Sequence, residues 1–114
     1  MDILIKDRIK VLKKIILDDI DFSKLFSADS ALDYSECSLN LEAIAAQFLT
    51  IEKDIALSSI EGKTTCKVFI QVTRNVPRQS SKYFLKYFDS LLGYTCYIEP
   101  SDVKGFYINI TWSK

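Results

Sequence analysis

From Ile3 to Ile20 the apolar residues recur with the period of a helix. Ile5, Ile9, Leu12, Ile16 and Ile20 make one stripe, widened by Leu4, Val11 and Ile15. Lys6, Lys10, Lys13 and Lys14 gather on a neighbouring arc. Asp18 and Asp19 stand where the negative end of the helix dipole disfavours acids, so the helix is predicted to stop there. Residues 21–39 show no single period. Asp21 or Ser23 fits the cap of a short turn through Phe26, and Ser27–Tyr34 fits another, while Cys37, Leu39 and Leu41 alternate as an edge strand would. Asn40 is a good N-cap for a helix over 41–58, with Glu42 in its first turn. On that helix Leu41, Ile44, Ala45, Phe48, Ile51, Ile55 and Ala56 share a face, and Glu61-Gly62-Lys63 breaks it.

The second half changes period. Cys66, Val68, Ile70 and Val72 alternate with Lys67, Phe69, Gln71 and Thr73, which predicts a half-buried strand. After a turn at Asn75-Val76-Pro77, Ser80 or Ser81 caps a third helix running to Leu92. Its apolar arc holds Phe84, Phe88, Leu91 and Leu92, flanked by Tyr83, Tyr87 and Leu85, and Gly93 takes the position after its end. Tyr94, Cys96 and Ile98, then Phe106, Ile108, Ile110 and Trp112, alternate as two strands of a hairpin. A helix between the first two strands favours a parallel relation with a right-handed crossover. The expected fold is therefore α+β, two-layered, in the order α-α-β-α-β-β, with a three-stranded mixed sheet covered by helices.

Two charges break the pattern. Arg8 projects into the apolar arc of the first helix, and Glu52 projects between Phe48, Ile55 and Ala45 on the second. A lone buried charge is costly, so these side chains snorkel, meet a partner chain or pair with each other, and mutual pairing is the preferred reading.

The chain has 114 residues, which fits one domain over 1–114. Fifteen basic and fifteen acidic residues cancel, yet they fall in blocks. Residues 1–14 carry +3, residues 15–61 carry −8, residues 62–88 carry +6 and the remainder −1. Such sorting bears on partners through long-range fields rather than on the fold.

Candidate chemistry is sparse. There is no histidine, which removes the commonest general base, the usual metal ligand and the Ser-His and Cys-His pairings. Cys37, Cys66 and Cys96 lack the close spacing of metal ligation, and they read as reduced thiols, Cys66 and Cys96 as small core residues. Asp18-Asp19-Ile20-Asp21 has no cation-loop spacing, and three glycines make no phosphate loop. No cofactor and no metal are expected. No stretch has the length and apolarity of a membrane span or the unbroken apolar centre of a signal peptide, so the chain reads as cytoplasmic with no membrane role.

These features leave three function classes. The first is a non-catalytic protein-binding module, acting as an inhibitor, immunity factor or adaptor. It would meet a basic protein through Asp18, Asp19, Asp21, Asp29, Asp33 and Glu36, since complementary potentials speed encounter. Neutralisers of basic enzymes exploit that physics. The second is a nucleic-acid-binding module using Lys63, Lys67, Arg74, Arg78, Lys82 and Lys86, with Phe69, Tyr83, Tyr87, Tyr97 and Tyr107 as stacking platforms. The neutral total counts against it. The third is a carboxylate-based enzyme. Ile5, Ile9, Leu12 and Ile16 also have the spacing of a short homodimer seam on the first helix, with core packing as the competing use.

Overall fold

In the computed structural model, which describes residues 3–37, 40–101 and 104–113 without the side chains of Asp33, Tyr34, Glu36 and Cys37, the N-terminal stripe becomes α1, Ile3–Asp18. It ends at the two aspartates, as their placement predicts. The ambiguous stretch after it holds α2, Ala28–Cys37, opened by Ser27, whose Oγ accepts from the Ser30 N–H at 3.2 Å. Leu39, which would have belonged to an edge strand, lies outside the described residues, and Leu41 starts the next helix. That helix, α3, spans Leu41–Ile60, and Asn40 Oδ1 accepts from the Ala43 N–H at 3.0 Å as an N-cap should.

Strand β1 covers Thr65–Gln71, β2 Thr95–Pro100 and β3 Gly105–Thr111. The sheet is not mixed. Its order is β1-β3-β2 and both pairings are antiparallel. β1 and β2 do run in the same direction, as the helical crossover suggests, but β3 enters between them. The hairpin pairs β3 with β2, and β3 gives its other edge to β1. The insertion places the most deeply buried strand in the centre, with Phe106, Ile108 and Ile110 all in the core. Gly105, at the head of β3, is required by close approach: a Cβ there would fall 2.4 Å from the Phe69 ring and 2.5 Å from the Ile70 carbonyl.

The crossover helix, α4 over 78–91, changes pitch along its length. A 3-10 turn at Arg78–Ser80 leads into α-helix over Ser81–Leu85 and a π turn over Lys86–Leu91. The expected arc is only partly realised. Tyr83, Phe84, Tyr87 and Phe88 are buried, but Leu91 and Leu92 are exposed. The wide turn explains this: Leu92 N–H donates to Tyr87 O, five residues back, at 3.2 Å. An extra residue in the turn rotates the next side chains off the arc. Gly93 then reverses the chain at φ +82°.

The buried side chains gather in one cluster. α1 supplies Leu12 and Ile15, α3 supplies Ile44, Phe48, Ile51 and Ile55, and the sheet supplies Val68, Ile70 and the β3 residues. Helices thus cover one face of the sheet and the fold is α+β as expected, but three helices precede β1, so the order is α-α-α-β-α-β-β and not α-α-β-α-β-β. Part of the expected dimer seam of α1 is core: Leu12 is fully buried and Ile9 half-buried. The radius of gyration is 15.2 Å, against about 13 Å for a compact chain of this length.

Candidate functional site

Residues 19–37 form an arm beside the packed body. Every residue from Asp21 to Asp29 is exposed, and none of the described side chains of α2 is buried. Short-range hydrogen bonds hold the arm locally. Asp21 Oδ1 accepts from both the N–H and the hydroxyl of Ser23, which keeps its carboxyl below the usual carboxylate range. Ser35 Oγ donates to Ala31 O. The arm is nevertheless rich in large apolar side chains in water: Phe22 at 64% exposure, Leu25 at 96% and Leu32 at 56%, with Leu17 just before it also exposed. Asp18, Asp21 and Asp29 are exposed among them. Asp33 and Glu36 lie on α2, with their side chains outside the described residues.

Asp19 does not belong to that free acidic set. Lys86 Nζ lies 3.4 Å from one carboxylate oxygen and Lys82 Nζ 3.5 Å from the other. The Lys86 hydrogen bond is the main reason the Asp19 carboxyl sits below its ordinary value. The acidic and basic blocks therefore meet here and partly cancel, tying the end of α1 to α4.

A second junction lies deeper. Arg8 donates to Glu52 through Nε at 3.0 Å and Nη2 at 2.6 Å, and Tyr87 donates its hydroxyl to the same carboxylate at 2.6 Å. The two charges that broke the helical pattern do pair with each other. Their side chains keep 25% and 27% exposure. Burial, then the bond to Glu52, pushes the Tyr87 phenol well above its ordinary value, and the carboxylate raises Arg8. One bidentate pair with a phenol cap thus joins α1, α3 and α4. The sequence showed the two charges but not Tyr87, whose position beside the apolar arc gave no sign of its hydroxyl's partner.

The other basic residues scatter. Lys63 pairs with Glu61 at 3.0 Å, and Arg78 donates to the Gly105 carbonyl at 3.2 Å. Arg74 is exposed in the turn after β1. Tyr83 and Tyr87 are buried in the core, so the aromatics nearest Lys82 and Lys86 offer no stacking surface. The open face of the sheet does carry Phe69, Tyr97 and Tyr107. There Lys67 crosses the Tyr107 ring, 4.4 Å from its centroid, to reach Glu99 at 2.7 Å, and Asn109 donates to the same carboxylate. The Glu99 carboxyl is lowered by Lys67, and the lysine raised in turn. A polyanion would have to displace that pair.

The remaining chemistry is modest. Cys66 and Cys96 both face the core side, each opposite Ile110 on β3. Two strand spacings, about 10 Å, separate them, too far for a disulfide. Burial raises both thiols, Cys96 to about 11, so both are held as protonated, weakly nucleophilic groups. A groove of about 420 Å³ lies between the C-terminal half of α3 and the start of β1, with Asp54, Leu57 and Glu61 on its helix wall. Among the described residues no three His, Cys, Asp or Glu side chains converge as a metal site requires, and no helix is long and apolar enough to cross a membrane. Comparison with protein-family models, curated proteins and solved structures returns no match.

Proposed function

We propose that this chain is a non-catalytic, cytoplasmic protein-binding module that docks a basic partner through the arm at 19–37, in the manner of an inhibitor or adaptor. One observation carries the reading: Phe22, Leu25 and Leu32 stand in water on the same exposed stretch as Asp18, Asp21 and Asp29. Burying such side chains is worth roughly 1.5–3 kcal/mol each, which the fold leaves uncollected. Apolar anchors supply the lifetime of a complex, and an acidic surround speeds encounter with a cationic surface. The acidic set narrows to Asp18, Asp21 and Asp29, with Asp33 and Glu36 on the same arm, because Asp19 is engaged by Lys82 and Lys86. The free thiols of Cys66 and Cys96 suit a reducing compartment. The nucleic-acid reading has weaker support, since four of its six basic side chains already hold carboxylates.

The test compares capture from a host lysate, nuclease-treated and untreated, by the wild type and two variants. A protein captured by the wild type should survive nuclease, persist with Lys82→Glu/Lys86→Glu and be lost with Phe22→Ser/Leu25→Ser. Loss on nuclease treatment, or capture indifferent to the arm substitutions, would sink the proposal.

A further inference from the structure

The two edges of the sheet are not alike. Val72 N–H donates to Lys104 O and Trp112 N–H to Thr64 O, which sets the phase of the β1–β3 ladder. Even-numbered residues of β1 bond inward to β3. The N–H and C=O groups of Thr65, Lys67, Phe69 and Gln71 therefore point outward, and among the described residues no fourth strand receives them. By the same alternation β2 turns Cys96, Ile98 and Pro100 outward, and the proline has no N–H to give. Exposed edges are ordinarily guarded by proline, a bulge or a charge reaching over the edge. β1 has no proline. Its single charge, Lys67, is drawn across the open face to Glu99 instead of out over the edge.

We infer that β1 is an interface for a second copy of this chain, pairing antiparallel about a two-fold axis at Val68 to make one continuous sheet. This rests on the edge alone and is independent of the arm. An edge of this kind takes an extended strand, and β1 is complementary to itself in that register. Thr65 faces Gln71 of the second copy and Lys67 faces its Phe69, so every outward backbone group is used and no like charges oppose. Shifting the axis to residue 67 would set lysine against lysine. The groove between α3 and β1, with Leu57 half-exposed on its α3 wall, borders this edge at Thr65, Cys66 and Lys67.

The full chain should sediment as a dimer that dissociates on dilution. In the same concentration range the amides of Thr65, Lys67, Phe69 and Gln71 should become protected from hydrogen exchange. Phe69→Lys sets like charges opposite each other twice across the axis and should raise the dissociation constant about tenfold or more. A chain that stays monomeric throughout overturns the inference. So does a dimer whose four outward amides exchange freely, which would place its interface elsewhere. The amide readout uses the wild type and stands even where Phe69→Lys fails to fold.

Discussion

Phe48 is fully buried, with ring centroids of Phe84, Tyr87 and Phe88 at 5.1, 4.5 and 6.1 Å, whereas Phe22 keeps 64% of its surface in water. The difference lies in their surroundings, not in the side chain. Phe48 sits on a helix with four further buried residues on its face, Ile44, Ala45, Ile51 and Ile55, so each added apolar group packs against others already desolvated. Phe22 sits in a stretch with no repeating stripe, where serines and aspartates satisfy their own backbone locally. Local capping fixes the arm's turns without giving its apolar groups anything to pack against. The body's apolar residues hold the fold, and the arm's stay in water.

The comparison is broken most directly by removing the ring on each side. Phe48→Ala should lower the unfolding free energy by about 3–5 kcal/mol, through lost transfer energy and a cavity lined by the rings of Phe84, Tyr87 and Phe88. Phe22→Ala and Leu25→Ala should each stay within about 0.5 kcal/mol of wild type. Urea midpoints measured on all three decide it. A large loss at Phe22 or Leu25 would mean that the arm is part of the core and not a docking element.

The same contrast holds for ion pairs. Arg8–Glu52 is bidentate, shielded and capped by a phenol, while Asp19 reaches two exposed lysines at 3.4 and 3.5 Å. Glu52→Gln should cost about 2 kcal/mol, less than a fully buried pair would, because water still reaches both partners. Replacing both ends, Arg8→Met with Glu52→Leu, should recover only part of that loss, since the apolar pair needs no compensating charge but leaves the buried Tyr87 hydroxyl without its acceptor. Urea unfolding of the single and double variants tests this. If the double variant is less stable than the single, the junction contributes more than mutual neutralisation.

Much of this was legible in the sequence where period and chemistry agreed. The α3 boundaries came from Asn40 and Gly62, and the Arg8–Glu52 pair from two charges on apolar arcs, because one buried charge demands another. The sheet order was not legible, since alternation marks strands without naming their neighbours. Position in the centre goes to the strand that can be buried, a property of all three together. The outward turn of Leu91 and Leu92 was hidden because a helical projection assumes constant pitch, and the π turn at Lys86–Leu91 breaks it. The acidic block was visible as charge. That Asp19 leaves it for Lys82 and Lys86 depends on how α1 and α4 pack, which spacing along the chain does not encode.

The smallest effect sharpens the comparison furthest. Asp19→Asn removes the surface junction, and at neutral pH it should cost only a few tenths of a kcal/mol, because the carboxylate is about half exposed and its lysines are solvated. Its pH dependence gives the sign. The folded carboxyl, held mainly by Lys86, lies below the ordinary 3.8. Its contribution is therefore complete at pH values above that figure and is lost as the pH falls through the folded value. Wild type and Asp19→Asn should differ slightly at neutral pH and converge in acid, once the pH has fallen through the lowered folded value. High salt at neutral pH should shrink the difference as well, since exposed charges are screened. A difference that grows in acid, or one as large as that of Glu52→Gln, would show that the end of α1 is held as tightly as the buried junction, and that the arm begins in the body.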